Sequence, residues 1–179
     1  MSRTKELPTT EQNFLLFDKI TPQNASAVVG WIISANMDHV KHPYLTLHVC
    51  SEGGELSPAF AIIDAMNHSG IPVRTIAYGE ILSSGFMIFI NGVKGHRQLM
   101  PNTAIMSHRF SAGIEGKMHE LRSFQVESNN THDRMVQHYM RCSGLSKAKV
   151  DKMLLPHEDV WLKCADVLEL GCADSIIGL

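Results

Sequence analysis

The chain has 179 residues, of which 44% are hydrophobic, which suits one domain with a sizeable core and is too short for two ordinary domains. Its formal net charge is −2 and it has no basic block, which argues against a nucleic-acid partner. The apolar runs are far shorter than a membrane-spanning helix, and residues 1–12 lack the apolar centre of a signal peptide, so we expect a cytoplasmic protein with no membrane partner.

The first half of the chain predicts strands that alternate with helices. Threonine or serine before proline is typical of a helix start, because the hydroxyl caps free amides and proline fits the first turn. Apolar residues at every second position indicate a strand, and those at every third or fourth position indicate a helix. The predicted elements are a strand near Phe14, a helix from Thr21, a strand at 44–50, a helix from Ser57, a strand at 71–78 and a helix at 86–91.

The second half of the chain is dominated by one long polar helix, predicted at 117–141. Its middle, around 128–132, has no apolar residues that could pack on the domain. We therefore expect this helix to project from its own domain and meet a partner. The other predicted elements are short strands at 97–100 and 104–107 and short helices at 146–153 and 163–170.

Alternating strands and helices predict an α/β fold with a mainly parallel sheet. We interpret residues 1–12 as a short flexible segment and residues 13–179 as a single domain. Sites in such sheets lie beyond the carboxyl ends of the strands. Two strand-ending glycine clusters, at 53–54 and 79–85, fall at that edge.

The cysteines and histidines do not have the spacings typical of metal sites. None of the four cysteines belongs to a CxxC pair, and the ten histidines form neither an HxxxH nor an HExxH pattern. We therefore predict no metal and no cofactor, and we interpret the cysteines as buried thiols without disulfides.

Three residues could supply the parts of a serine nucleophile site, which are a nucleophile, a base and a group that orients the base. Ser83 lies where a strand ends and an apolar helix begins, so its hydroxyl would be exposed beside free amides. His108 follows the strand at 104–107, and Asp159 follows a proline. Each residue also has an ordinary interpretation, as a helix cap, a surface or core histidine, and a solvated acid. The residues alone therefore leave the question of an enzyme open.

Read in chain order, four segments resemble the Clp protease proteolytic subunit (ClpP) family. The family motifs are Asn-Ser-Pro-Gly-Gly, Gly-x-Ala-x-Ser-Met-Gly with the nucleophile, Leu-Pro-Asn-x-x-x-Met-x-His, and Asp-Arg-Phe-x-Ser-Ala-x-Glu-Ala followed by Gly-Leu-Val-Asp. The matching segments here are Cys50–Gly54, Gly79–Gly85, Met100–His108, and Asp159–Leu162 with Gly171–Asp174. The similarity covers roughly Phe14 to Ile177.

The resemblance implies a fold and an activity. The fold is the crotonase-like ClpP spiral of βαβ units with a protruding handle helix. The activity is that of a serine endopeptidase, with Ser83 as nucleophile, His108 as general base and then acid, and Asp159 orienting the imidazole. The backbone amides of Gly54 and Ser84 would form the oxyanion hole.

The resemblance also implies partners. Family members stack two rings into a tetradecamer, joined through the handle helix, and cleave unfolded polypeptides inside the chamber. A Clp-type ATPase unfoldase and a related companion subunit in the same ring are further candidate partners.

Several residues depart from the family pattern. Glu52 replaces the turn proline, Ser84 replaces the methionine after the nucleophile, and His157-Glu158 replaces an acidic–arginine pair. Two aromatic residues of the strand before the glycine turn are replaced by Thr46 and His48. Because aromatic anchors supply much of an interface's energy, we expect this chain alone to bind the usual unfoldases poorly.

Two other functions compete with the peptidase. One is a non-catalytic or regulatory ring subunit of a mixed ClpP-like assembly, although a scaffold has no need of all three site residues. The other is a crotonase-type acyl-CoA enzyme on the same fold, which needs oxyanion amides but no serine paired with His108.

Overall fold

The computed structural model describes residues 12–40 and 42–178. Its elements in chain order are β1 (Gln12–Phe17), α1 (Pro22–Met37), β2 (Leu45–Ser51), α2 (Leu56–His68), β3 (Val73–Leu82), α3 (Ser84–Ile90), β4 (Arg97–Leu99), β5 (Ala104–Ser107), α4 (Met118–Ser143), α5 (Lys147–Met153), β6 (Val160–Leu162), α6 (Cys164–Glu169) and β7 (Ser175–Ile176). The N-terminal segment predicted at residues 1–12 lies outside the described residues, apart from Gln12, which begins β1.

The sheet is mainly parallel, which confirms the predicted α/β fold. Strands β1, β2, β3, β4 and β7 lie side by side in that order, and all of these pairs are parallel. Strand β5 also pairs in parallel with β3, and β6 pairs with β5 in the antiparallel sense.

Strand β3 changes partner part-way along its length. Its first part, Thr75–Ala77, pairs with β4, and its last part, Glu80–Leu82, pairs with β5. Gly79 lies between the two parts with φ of +54°, a backbone conformation that favours glycine. This bend carries the end of β3 away from β4 and toward the site.

The core fixes the position of the helix that follows β3. Alternate residues of β2 (Leu45, Leu47 and Val49) are fully buried, and all seven residues of α3, which contacts β2, are buried as well. A helix that is apolar on every side belongs in the interior of a domain. The residue immediately before α3, Ser83, is therefore held by a rigid support.

The two halves of α4 have different surroundings. Its buried residues all lie between Met135 and Cys142, near its C-terminal end. Met118 and Val126, in the other half, are 67% and 60% exposed. Because no residue of the first half is buried, α4 protrudes from the domain, as predicted.

A few boundaries differ from the prediction. Helix α2 begins at Leu56, so Ser57 and Pro58 lie in its first turn. Strands β6 and β7 were not predicted, because elements of three and two residues are too short to show a periodic pattern. In the described part of the chain, no helix combines the length and hydropathy needed to cross a bilayer.

A buried ion pair joins β4 to the end of the chain. Arg97 is only 3% exposed, and its guanidinium lies 2.7 Å from the Asp174 carboxylate. The backbone amides of Gly95 and Arg97 donate to the same carboxylate. Burial alone would raise the pKa of Asp174, but hydrogen bonds and charge from Arg97 outweigh it and lower that pKa. Asp174, which ends one of the segments that resemble the ClpP family, therefore has a structural role.

His138 is a buried histidine in the second half of α4. Arg141 can only donate a hydrogen bond, so it donates to Nδ1 of His138, and Nε2–H donates to the carbonyl of Met87 at 2.9 Å. Burial is the main cause that lowers the pKa of His138 from 6.5 to about 4. The histidine is therefore neutral in the folded protein near neutral pH.

This histidine should make the domain less stable in acid. In the unfolded chain His138 binds a proton near pH 6.5, whereas the folded protein resists protonation until about pH 4. Between these values the unfolded state holds more protons, so the free energy of unfolding falls as the pH falls, by about 2 kcal/mol from pH 7 to pH 5. Urea unfolding of wild type and of His138→Gln at both pH values would measure the difference.

We expect His138→Gln to be less stable than wild type at pH 7 but to lose less stability between pH 7 and pH 5. His119→Gln, which changes an exposed histidine of the same helix, should keep the wild-type dependence. An identical pH dependence in wild type and His138→Gln would contradict this role.

Candidate active site

Ser83 occupies a strained turn between β3 and α3. Its φ is +52° and its ψ is −120°, and it is the only non-glycine residue with positive φ in the described part of the chain. Such a conformation costs about 1–3 kcal/mol and persists only where the surrounding structure imposes it. Here the Ser83 amide donates to the carbonyl of Met106 in β5, 2.9 Å away. A strained serine between a strand and a buried helix is a typical position for a nucleophile.

Strand pairing places His108 beside this serine. Leu82 at the end of β3 is in register with Met106 in β5, and His108 follows β5 directly. His108 Nε2 lies 2.7 Å from Ser83 Oγ, which is hydrogen-bond distance. The imidazole is thus in position to accept the hydroxyl proton of the serine.

Asp159, which immediately precedes the antiparallel strand β6, reaches the same histidine. Ser107 pairs with Val160, so the residues that flank this pair, His108 and Asp159, are neighbours across the two strands. Asp159 Oδ1 lies 3.1 Å from His108 Nδ1. A carboxylate at Nδ1 selects the tautomer whose Nε2 is free to accept a proton. The structure therefore brings Ser83, His108 and Asp159 together in that order.

The Gly53-Gly54 loop packs directly against the turn that contains Ser83. A Cβ atom on Gly53 would lie 2.8 Å from Ser83 Cβ and 3.2 Å from the Ser84 nitrogen, which is too close for a larger residue. Gly54 has φ of +150°, and Ser84 is the first residue of α3, where backbone amides lack partners inside the helix. The loop and the helix start are therefore adjacent, as the oxyanion-hole prediction requires.

A cleft of about 540 Å³ opens over these residues. Gly54, Ser83 and His108 line it, together with Lys19 and Phe110. This volume accommodates part of a peptide, and Ser83 and His108 both face it. No group of three or more histidine, cysteine or acidic side chains that could hold a metal ion occurs among the described residues.

Comparison with known proteins identifies the family of this chain. The sequence model of the Clp protease family matches residues 5–179. The chain belongs to the Clp protease family. The ATP-dependent Clp protease proteolytic subunit of Deinococcus radiodurans is 27% identical over 158 residues, which are 88% of this chain and 76% of that protein. Membership in the Clp protease family supports a ClpP-like serine peptidase.

Two of the departures from the ClpP pattern lie close to the site. Glu52 is exposed and is not among the residues that line the cleft. Ser84 is fully buried, and its hydroxyl has no hydrogen-bond partner among the described residues. An unsatisfied buried hydroxyl costs about 1–3 kcal/mol, so the serine at this position stabilises the turn less than an apolar side chain would.

The other departures lie away from the cleft. His157 and Glu158 are both exposed beside Asp159, whose own side chain is 58% exposed. Thr46 is buried and accepts a hydrogen bond from Arg74, and His48 bonds to Tyr78 at 3.1 Å. Polar contacts therefore occupy these two strand positions. Poor binding of the usual unfoldases remains a prediction.

The element that sequence reasoning missed at this site is β6. A strand of three residues is too short to show a periodic pattern, yet its pairing with β5 determines where Asp159 lies. Asp159 was recognised as a candidate site residue from the order of the segments that resemble the ClpP family.

Proposed function

We propose that this chain is the catalytic subunit of a ring-shaped serine endopeptidase, with Ser83, His108 and Asp159 as its catalytic triad. The observation that carries the proposal is the chain of contacts from Asp159 Oδ1 through the His108 imidazole to Ser83 Oγ, at 3.1 and 2.7 Å. The strained backbone of Ser83 supports the same assignment, because such strain is concentrated at functional residues.

In the proposed reaction, a polypeptide lies in the cleft with one carbonyl carbon against Ser83 Oγ. His108 Nε2 takes the hydroxyl proton as Oγ attacks, and Asp159 stabilises the imidazolium. The amides of Gly54 and Ser84 donate to the oxyanion. His108 then gives its proton to the leaving amine, which breaks the C–N bond and leaves an acyl group on Ser83. A water molecule, deprotonated by His108, releases that group as a carboxylate and restores the serine.

The assembly we propose is a stack of two rings joined through the protruding half of α4. Exposed apolar side chains on this half, including Met118 and Val126, support an interface, because they have no partner within the described part of the chain's own domain. Residues 13–179 would form the single domain of each subunit. Unfolded polypeptides are the proposed substrates, since a closed chamber admits extended chains and excludes folded domains.

The test is hydrolysis of three kinds of substrate by the purified assembled protein. We expect cleavage of short fluorogenic peptides, slower cleavage of a permanently unfolded protein, and no cleavage of a tightly folded protein in the absence of an ATPase. Cleavage of the folded protein at a rate similar to that of the unfolded one would contradict the chamber. Failure to cleave any of the three would contradict the peptidase and favour a non-catalytic ring subunit.

A further inference from the structure

The cleft beside Ser83 contains a lysine that the proposed reaction does not use. Lys19 belongs to the short segment between β1 and α1 and lines the cleft together with Ser83 and His108. Its side chain is exposed, and it forms no ion pair with any described residue. A lysine that lines the cleft and has no ion pair with a described residue is available to a substrate.

The backbone that carries Lys19 is fixed to the catalytic loop. Its neighbour Ile20 donates to the carbonyl of Gly53 at 2.8 Å and accepts from the amide of Glu55 at 3.0 Å. On the other side, the Asn24 side chain donates to the carbonyl of Lys19. Because Gly53 itself packs against Ser83, the Cα atom of Lys19 is held at a set position relative to the nucleophile.

One acidic residue, Glu55, lines the same cleft. Glu55 also lines the neighbouring groove between α1 and α2, which Lys19 does not line. Glu55 therefore lies on the rim that the two depressions share. The cleft therefore has one positive and one negative side chain at its edge, and only Glu55 is shared with the neighbouring groove.

We infer that Lys19 is a specificity-determining residue that favours an acidic side chain in the substrate close to the cleaved bond. The inference rests on the proposed peptidase function, since it concerns the substrate of that same site. A lysine ammonium on its flexible four-carbon stem can follow a carboxylate at either of two neighbouring substrate positions. A glutamine at position 19 has a similar size but no charge that could pair with a substrate carboxylate.

The expected preference is modest because the ion pair is open to solvent. Exposed pairs of this kind change a rate or binding constant by a few-fold, so we expect kcat/KM for a glutamate peptide to exceed that for its glutamine twin about three- to fivefold. The preference should shrink as salt is raised from about 0.05 to 0.5 M, since added ions screen exposed charges.

The experiment uses the assembled protein and fluorogenic peptides that differ only in a glutamate, glutamine or lysine. One series varies the residue whose carbonyl is attacked, and a second series varies the residue before it. In one of these series we expect the glutamate preference in wild type, a glutamate-to-glutamine ratio near one in Lys19→Gln, and a preference for lysine in Lys19→Glu.

Two matched variants separate Lys19 from general charge effects. Lys149→Gln removes the same charge from an exposed position on α5 and should keep the preference. Glu55→Gln should keep or increase it. An equal rate for the glutamate and glutamine peptides in wild type, or an unchanged preference in Lys19→Gln, would overturn the inference and leave the peptidase function standing. Absence of hydrolysis of every peptide would overturn both.

Discussion

Replacing Ser83 with alanine should lower kcat for a fluorogenic peptide on the order of 10⁴-fold or more, because the variant has no nucleophile for His108 to activate. His108→Ala should cost about as much, and the double variant little more, since residues that act as one unit are not additive. Steady-state hydrolysis by the three variants and by wild type measures this directly.

The loss should occur without a change in assembly, because Ser83→Ala removes a single hydroxyl. Ser34→Ala, which removes a hydroxyl from an exposed position on α1, is the matched control and should retain wild-type activity. Wild-type kcat in Ser83→Ala, with contaminating peptidases excluded, would end the assignment of Ser83 as nucleophile.

Charging the protruding half of α4 should divide the proposed double rings into single rings. Leu121 is 37% exposed and Phe124 is half-buried, and both lie on the part of α4 that contributes no buried residue to its own domain. Placing glutamates at both positions would put charges into an apolar contact without partners, which is strongly unfavourable. We expect sedimentation velocity to show particles of half the mass and peptide hydrolysis to fall.

The control places the same two charges at polar positions of the same turn, as Ser123→Glu with Gln125→Glu. This variant should sediment like wild type if the apolar side chains make the contact. A wild-type sedimentation coefficient for Leu121→Glu with Phe124→Glu would remove α4 from the interface between rings.

The alternation of strands and helices predicted most of the fold. The helix start at Thr21 was correct because its hydroxyl does accept from Asn24, and the parallel sheet followed from the order of the elements. Strand β3 is longer than predicted, since the glycine at position 79 bends the strand instead of ending it.

The long helix shows what a pattern of apolar residues cannot reveal. The sequence predicted that the middle of this helix, around residues 128–132, has too few apolar residues to pack on the domain. In the structure, no residue from 118 to 134 is buried. Leu121 and Phe124 were counted among the apolar residues that pack on the domain, although in the structure neither is buried. A periodic pattern identifies a face of a helix but does not say whether a partner is present.

The candidate site depended on resemblance more than on local signals. Ser83, His108 and Asp159 are far apart in the sequence, and each has a common structural interpretation. Their contacts result from two strand pairings, of which one involves the unpredicted β6. The positive φ of Ser83 could not be anticipated either, because non-glycine residues seldom adopt it.

The most direct test of the serine peptidase is covalent labelling of the assembled protein with a fluorophosphonate, followed by peptide mass spectrometry. We predict one adduct, on Ser83, with labelling abolished in Ser83→Ala and strongly slowed in His108→Ala, because an unactivated hydroxyl reacts poorly. Absence of labelling at Ser83 in a protein that hydrolyses peptides, or equally fast labelling of Ser83 in wild type and His108→Ala, would contradict the proposed catalytic site.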